Sequence, residues 1–315
     1  MKFPTLSETK RLTMLQPPTG RVRMVLDTDT YNEIDDQFAV VHALLSQECL
    51  AVEAIYAAPF HNNRSSGPEE GMEKSYDEIL RLLDFLDVPT AGFVYRGSTA
   101  FLSDAENPVP SEAATDMVAR ALATNNTDEP LYVVAIGAIT NVAAAILMEP
   151  KIIERIVVIW LGGNPLYWPH TREFNLQQDV LSAQIVLDCG VPFVHLPARG
   201  VVSHLLTTVA EMERYVQGQG KIGDYLVKIF KDYHSEHYAW SKVIWDISAT
   251  AYLINSSWVP TEIVHSPILT DGMTWSFDNS RHFMRVATGV NRDAIFRDLF
   301  QKLQLAHSSP QITSS

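Results

Sequence analysis

The chain predicts an α/β fold: a mostly parallel open sheet with helices on both faces, a Rossmann-like core. Three observations carry this. Short apolar runs suited to buried strands alternate with stretches of helical apolar spacing through residue 196. Polar, chemistry-bearing residues collect just after the strand ends, where open α/β sheets bind ligands. Beyond residue 196 the pattern becomes helical and amphipathic, so extra helices are expected in the C-terminal third. The 315 residues and 46% apolar content suit one domain over 21–307. An extended arm over 1–20, with Pro4, Pro17, Pro18 and Gly20, is expected before it, and a disordered polar tail over 308–315 after it.

The first strand is the apolar run Val22, Met24, Val25, Leu26. Four aspartates follow within ten positions, Asp27, Asp29, Asp35 and Asp36. Ile34, Phe38, Val41 and Leu45 then repeat at helical spacing, so a helix starts near the Asp pair. Four carboxylates in one loop repel one another, and a helix N-terminus offsets only about 0.3–1 kcal/mol. A divalent cation shared among them is the natural remedy, and all-oxygen ligands favour Ca²⁺ or Mg²⁺ over zinc. The competing reading is a solvated acidic loop in which Asp35 caps the helix.

Leu50–Ala58 is the second strand, ending in the polar loop Pro59 to Arg64. Residues 64–73 look like a long loop, a candidate lid. A helix follows at Ile79, Leu82, Leu83 and Leu86, then a short strand over 91–95, a linker over 103–112 and a helix over about 111–124. Leu131–Ile136 is a strand, followed by Gly137-Ala138-Ile139-Thr140-Asn141, whose small residues allow close approach of backbone to a ligand. Thr140 and Asn141 are expected to cap the next helix. Ile156–Leu161 is a strand ending in Gly162-Gly163-Asn164; Glu173-Phe174-Asn175 comes next, and Asp179 starts a helix to about Leu187. After a strand over 191–196, helices are expected over about 207–218 and 221–238. The second carries Tyr225, Tyr233, His234, His237 and Tyr238, which read as core or as a platform for a flat ring. Trp245-Asp246 opens a helix through Ile254.

These motifs resemble, in the same order, those of the nucleoside hydrolases (inosine–uridine-preferring and relatives) over roughly residues 20–280. That family opens with a strand and an Asp-x-Asp…Asp-Asp loop, and Asp27, Asp29, Asp35 and Asp36 match it. The loop here is two residues longer than the family's usual one. The resemblance implies metal-dependent hydrolysis of the N-glycosidic bond of a ribonucleoside. It makes Asp29 the general base and a metal neighbour, and Asp36, Asp246 and the carbonyl of Ile136 the other metal ligands. Asp35, Asn164, Glu173 and Asn175 bind the ribose, and Asn62, with Asn63 the next match, contacts the ligand. The ion is expected to be Ca²⁺ rather than Mg²⁺, and the protein a homo-oligomer, dimer or tetramer. Where the family usually reads His-Asp this chain reads Trp245-Asp246, and indole cannot deliver a proton to a leaving base in that way. Stacking by Trp245 or Trp168 would instead favour a purine.

The formal charge of −13 makes a poor surface for nucleic acid or an anionic membrane, but is compatible with a neutral nucleoside. Cys49 and Cys189 read as buried thiols, not a disulfide or metal pair. There is no membrane-spanning run and no signal-peptide core, so a cytoplasmic location is expected. Two other classes compete with this one. Asp27-Thr28-Asp29-Thr30 also matches the Asp-x-Asp-x-Thr signature of haloacid-dehalogenase-like phosphatases, but no later Asp pair completes it. A nucleoside- or ribose-binding protein, or a hydrolase of an unusual ribosyl compound, would fit the longer loop and the missing His.

Overall fold

The computed structural model describes residues 3–123 and 129–308. Eight strands form one sheet: β1 Val22–Thr28, β2 Leu50–Ala57, β3 Val94–Arg96, β4 Leu131–Ala135, β5 Ile156–Leu161, β6 Phe193–Leu196, β7 Thr261–His265 and β8 Phe283–Ala287. Their spatial order is β3-β2-β1-β4-β5-β6-β8-β7, and every neighbouring pair is parallel except β8–β7. The sheet is therefore mostly parallel with one antiparallel edge. Its order reverses direction between β1 and β4, the switch point at which open α/β sheets open a crevice. There Asp27 on β1 is in register with Ala135 on β4, so the acidic loop and Ile136 leave the sheet side by side.

Helices follow the strands: α1 Glu8–Met14, α2 Asp36–Leu44, α3 Pro68–Phe85, α4 Glu112–Leu122, α5 Thr140–Met148, α6 Phe174–Gln178 and α7 Val180–Asp188. The C-terminal third adds α8 Val209–Tyr215, α9 Gly220–Asp232, α10 Ile247–Ile254 and α11 Arg292–Ser308. One layer packs α2 against α3 and α10, and another packs α5 against α4 and α7. β4 and β5 are buried along their whole length, as strands covered on both faces must be.

Four expectations need correction. The arm over 1–20 contains α1, because Ser7 accepts a hydrogen bond from the backbone N–H of Lys10 and caps a turn whose Arg11 reaches the Gly190 carbonyl. The loop over 64–73 is mostly the start of α3. Pro68 takes the first helical position with Glu69 and Glu70 behind it, and Gly71 lies so close to Phe60 that a Cβ would stand 2.0 Å from its carbonyl oxygen. The helix expected to run to 238 stops at Asp232, so His234 and His237 do not share a helical face. Both rings pack around Trp240, at 5.4 and 5.8 Å between centroids. Thr140 and Asn141 do not cap α5. Thr140 donates to Asp179 and Asn141 donates to Asp27, which ties the start of α5 to the start of α7 and to the end of β1.

Ser308 is the last residue of α11, and the rest of the tail expected over 308–315 lies outside the described residues, as does position 124 of the expected fourth helix. Cys189 is buried, Cys49 half-buried, and both are free thiols. No helix among the described residues is long and apolar enough to cross a membrane.

Candidate active site

A cleft of about 480 Å³ opens at the switch point. Its walls include Asp35, Asp36, Ile136, Glu173, Asn175 and Asp246, drawn from the end of β4 and the starts of α2, α6 and α10. Asn62 and Trp245 also face it, whereas Trp168 is absent from its lining and instead packs edge-on against Tyr167. The aromatic residues of 215–240 do not line it either. Tyr215 stacks on Phe300, and Tyr225 donates to Glu78.

The acidic loop folds into the protein. Asp27 and Asp29 are completely buried, and Asp35, Asp36 and Asp246 are at most 4% exposed, which removes the solvated-loop reading. One oxygen from each of Asp35, Asp36 and Asp246 lies within 4.8 Å of the others. Asp35 stands at the N-cap position of α2, yet its side chain makes no capping bond. It accepts instead from the backbone N–H of Trp245 at 3.2 Å. Asp36 accepts from Thr28 at 2.5 Å. Asp29 lies below them. Both of its oxygens are buried and find no hydrogen-bond partner among the described residues. A Cβ on Gly137 would stand 2.9 Å from its carboxyl carbon, so only glycine leaves Asp29 its place.

Such a cluster is costly as it stands. Burial first, and then repulsion from Asp36 and Asp35, pushes the Asp29 carboxyl well above its ordinary range. Burial and the Asp35 charge push Asp36 up to about 8, and burial with Asp35 and Asp36 does the same in direction to Asp246. Asp27 is pushed up to about 7 by burial, against the hydrogen bond from Asn141. Buried carboxylates crowded at the end of β1 and the starts of α2 and α10, with both Asp29 oxygens unpartnered among the described residues, fit a divalent cation.

The amides of Asn175, on the cleft wall, and of Asn164, fully buried and outside its lining, show which atoms remain free. Asn175 spends its Nδ2 on the carbonyls of Ile136 at 3.0 Å and Leu161 at 2.9 Å. Asn164 spends its Nδ2 on the carbonyls of His170 and Arg172, and its Oδ1 is buried without a partner among the described residues. Both therefore present acceptors. Glu173 caps α6, accepting from the backbone N–H groups of Gly163, Asn175 and Leu176. Asn62 is committed internally: it donates to Asn32 Oδ1 at 2.7 Å and accepts from the backbone N–H of Arg64. The sequence missed Asn32, Glu33, Arg172 and Arg199 on the cleft wall. It also missed Lys242, which pairs with Glu33 and lies 3.9 Å from Asp35. A separation of 209 residues hides that pair from any local pattern.

Residues 24–297 match the model of the family described as inosine-uridine preferring nucleoside hydrolase. The pyrimidine-specific ribonucleoside hydrolase RihA of Klebsiella pneumoniae is 26% identical, over 89% of this chain and 97% of its own length. Among solved structures, the purine-preferring ribonucleoside hydrolase from Gardnerella vaginalis superposes with a TM-score of 0.72 at 19% identity, and the plant nucleoside hydrolase PpNRh1 with 0.70 at 21%. Each alignment covers 90% of this chain and 99% of the other. The chain belongs to the inosine-uridine preferring nucleoside hydrolase family and is a ribonucleoside N-ribohydrolase.

Proposed function

We propose that this chain hydrolyses ribonucleosides with the help of one Ca²⁺, in preference to Mg²⁺, and with Asp29 as general base. Asp36, Asp246, Asp29 and the Ile136 carbonyl would hold the ion, with Asp35 beside them on the ribose. The observation that carries this reading is Asp29: a completely buried carboxylate with two unpartnered oxygens beneath three more carboxylates. When bound, the cation supplies orientation of the ribose 2′ and 3′ hydroxyls and a lower pKa for the attacking water. Asp29 is placed to take a proton from water, since neither of its oxygens has a hydrogen-bond partner among the described residues. The Oδ1 atoms of Asn164 and Asn175 accept ribose hydroxyl protons, and Glu173 fixes the loop that carries Asn175. Asn62 acts on the substrate by holding Asn32 and the acidic loop in place.

Trp245 lines the cleft where the family usually has histidine, and its indole offers a stacking face rather than a proton relay. This supports a purine as the preferred leaving base, although the named relatives include both pyrimidine-specific and purine-preferring enzymes. A dimer or tetramer belongs to the same reading, and sedimentation as a monomer would remove it.

The test is a panel of inosine, adenosine, guanosine, uridine and cytidine, with Ca²⁺ and with chelator, following free ribose. Calcium-dependent release, fastest from a purine nucleoside, is the expected result. Faster release from uridine would overturn the purine preference. Silence across the panel would shift the reading to an unusual ribosyl substrate or a binding role.

A further inference from the structure

We propose that Glu33 accepts a hydrogen bond from the leaving base, so that the site selects ribonucleosides whose base carries an N–H group. The proposal rests on the reading of the cleft as a ribonucleoside site. Glu33 lies on the cleft wall together with Asp35, Trp245 and Asp246, and its side chain is 38% exposed. It does not belong to the three-carboxylate cluster. Its partner Lys242 has a side chain only 9% exposed, with its ammonium 4.8 Å from the centre of the Tyr233 ring. Lys242 also precedes Trp245 by three residues, so Glu33 is anchored to the segment that faces the base.

The backbone around Glu33 is equally fixed. Arg64 donates to the carbonyls of Glu33 at 3.2 Å and Tyr31 at 3.3 Å, and Asn62 donates to Asn32. Glu33 belongs to the five-residue stretch between Asp29 and Asp35, and it lines the cleft together with Asn32. A carboxylate accepts about four hydrogen bonds, so Lys242 and Tyr233 leave it with capacity. A carboxylate that accepts an N–H adds electron density to the base and does not help it depart as an anion. The contact therefore belongs to substrate binding and should appear in KM rather than in kcat. If Glu33 were merely the counter-ion of Lys242, changing the base would not sense it.

The experiment compares two substrate pairs on the calcium-loaded full chain: adenosine with purine riboside, which lacks the amino group, and uridine with 3-methyluridine, which lacks the imino N–H. Steady-state kinetics and calorimetric binding are measured for the wild type and for Glu33→Ala. Glu33→Gln, which keeps an acceptor for Lys242, serves as a second variant should Glu33→Ala fail to fold. Loss of the N–H in the wild type should raise KM about tenfold to a hundredfold, the range of a hydrogen bond to a charged group. Glu33→Ala should raise KM for adenosine and uridine by a similar factor, and the substrate change should then cost little more, because one contact is lost once. Glu33→Gln should fall between, and for any one substrate kcat should not fall from wild type to either variant.

Equal costs of the substrate change in wild type and variants, or a loss confined to kcat, would overturn the proposal. If no nucleoside is turned over, the same comparison is read from binding. Non-additive losses in affinity would keep the role of Glu33 while removing the hydrolase reading, and no binding of any nucleoside would remove both.

Discussion

Helices α2 and α10 lie side by side and carry buried polar groups at two levels, which the protein treats in opposite ways. Part-way along, His42 of α2 bonds Thr250 of α10 at 2.9 Å and Asp298 of α11 at 2.8 Å, so both ring nitrogens are used. At their N-terminal ends, Asp36 and Asp246 meet Asp35 with no cation from the protein among them; Lys242 reaches only Asp35, at 3.9 Å. Burial is nearly complete in both places. The difference is satisfaction. The network of His42 holds the helices together, while the carboxylates at their ends hold a repulsion that a ligand must relieve. Unsatisfied buried charge therefore marks the functional end of the same two helices.

Substitutions should separate the two levels. The largest effect is expected from Asp29→Asn, which keeps the shape and removes the base. Turnover should fall by about 10²–10⁴-fold, while the melting temperature of the metal-free protein holds or rises because a repelling charge is gone. His42→Ala should do the reverse. It takes one buried partner from each of Thr250 and Asp298, which keep only Ile247 and Lys302, and leaves a cavity, so denaturant unfolding should show a loss of about 2–4 kcal/mol. Activity per folded molecule should stay within a few-fold. A collapse of stability in Asp29→Asn, or of turnover in folded His42→Ala, would erase the distinction.

Gly137→Ala tests whether the lower level is held by shape. The new methyl would press on the Asp29 carboxyl and on the Cβ of Ala58, 3.2 Å away, and displace the base. A misplacement of about 1 Å commonly costs about a hundredfold in rate, and kcat should show it with little change in KM.

The smallest effect concerns pH. His195 is buried with Nε2 near the Gly162 carbonyl at 2.7 Å, and burial pushes its imidazole down to about 4. A depressed value means that the unfolded chain binds the proton first. Stability is complete above about 6.5 and is lost as pH falls towards 4, by about 2 kcal/mol between pH 7 and 5. Asp36, pushed up to about 8, works in the opposite direction, stabilising the metal-free fold below its unfolded value and losing that as pH rises. The contribution of His195 is therefore read as the difference between wild type and His195→Gln. Parallel pH profiles for the two would contradict it.

What was legible in the sequence follows the range of the interactions. The strand β1, its four aspartates and α2 declare themselves because the apolar periodicity and the charge cluster are both local. The Gly-Gly-Asn and Glu-Phe-Asn stretches did so because a strand end precedes them and a helix follows. The start of α3 was hidden because its first turns are polar and its signal is a Gly-Pro step, which reads equally well as a loop. The edge strand β7 and its neighbour β8 were not anticipated, since β7 is short and partly exposed and β8 gains its place only by pairing with β6 and β7. Lys242 with Glu33, and Asn141 with Asp27, depend on residues more than a hundred positions apart. No spacing rule reaches them.

The most direct test of the unsatisfied cluster is a calorimetric titration of Ca²⁺ into chelator-treated protein, in the wild type and in Asp36→Asn and Asp246→Asn, with the melting temperature recorded alongside. The expected result is one ion per chain in the wild type, with a gain of about 2.7 kcal/mol in stability at a hundredfold excess over Kd. Both variants should bind much more weakly, yet melt higher than the wild type when metal-free. Absence of calcium binding, or binding that both variants retain, would contradict the assignment of these carboxylates to a metal.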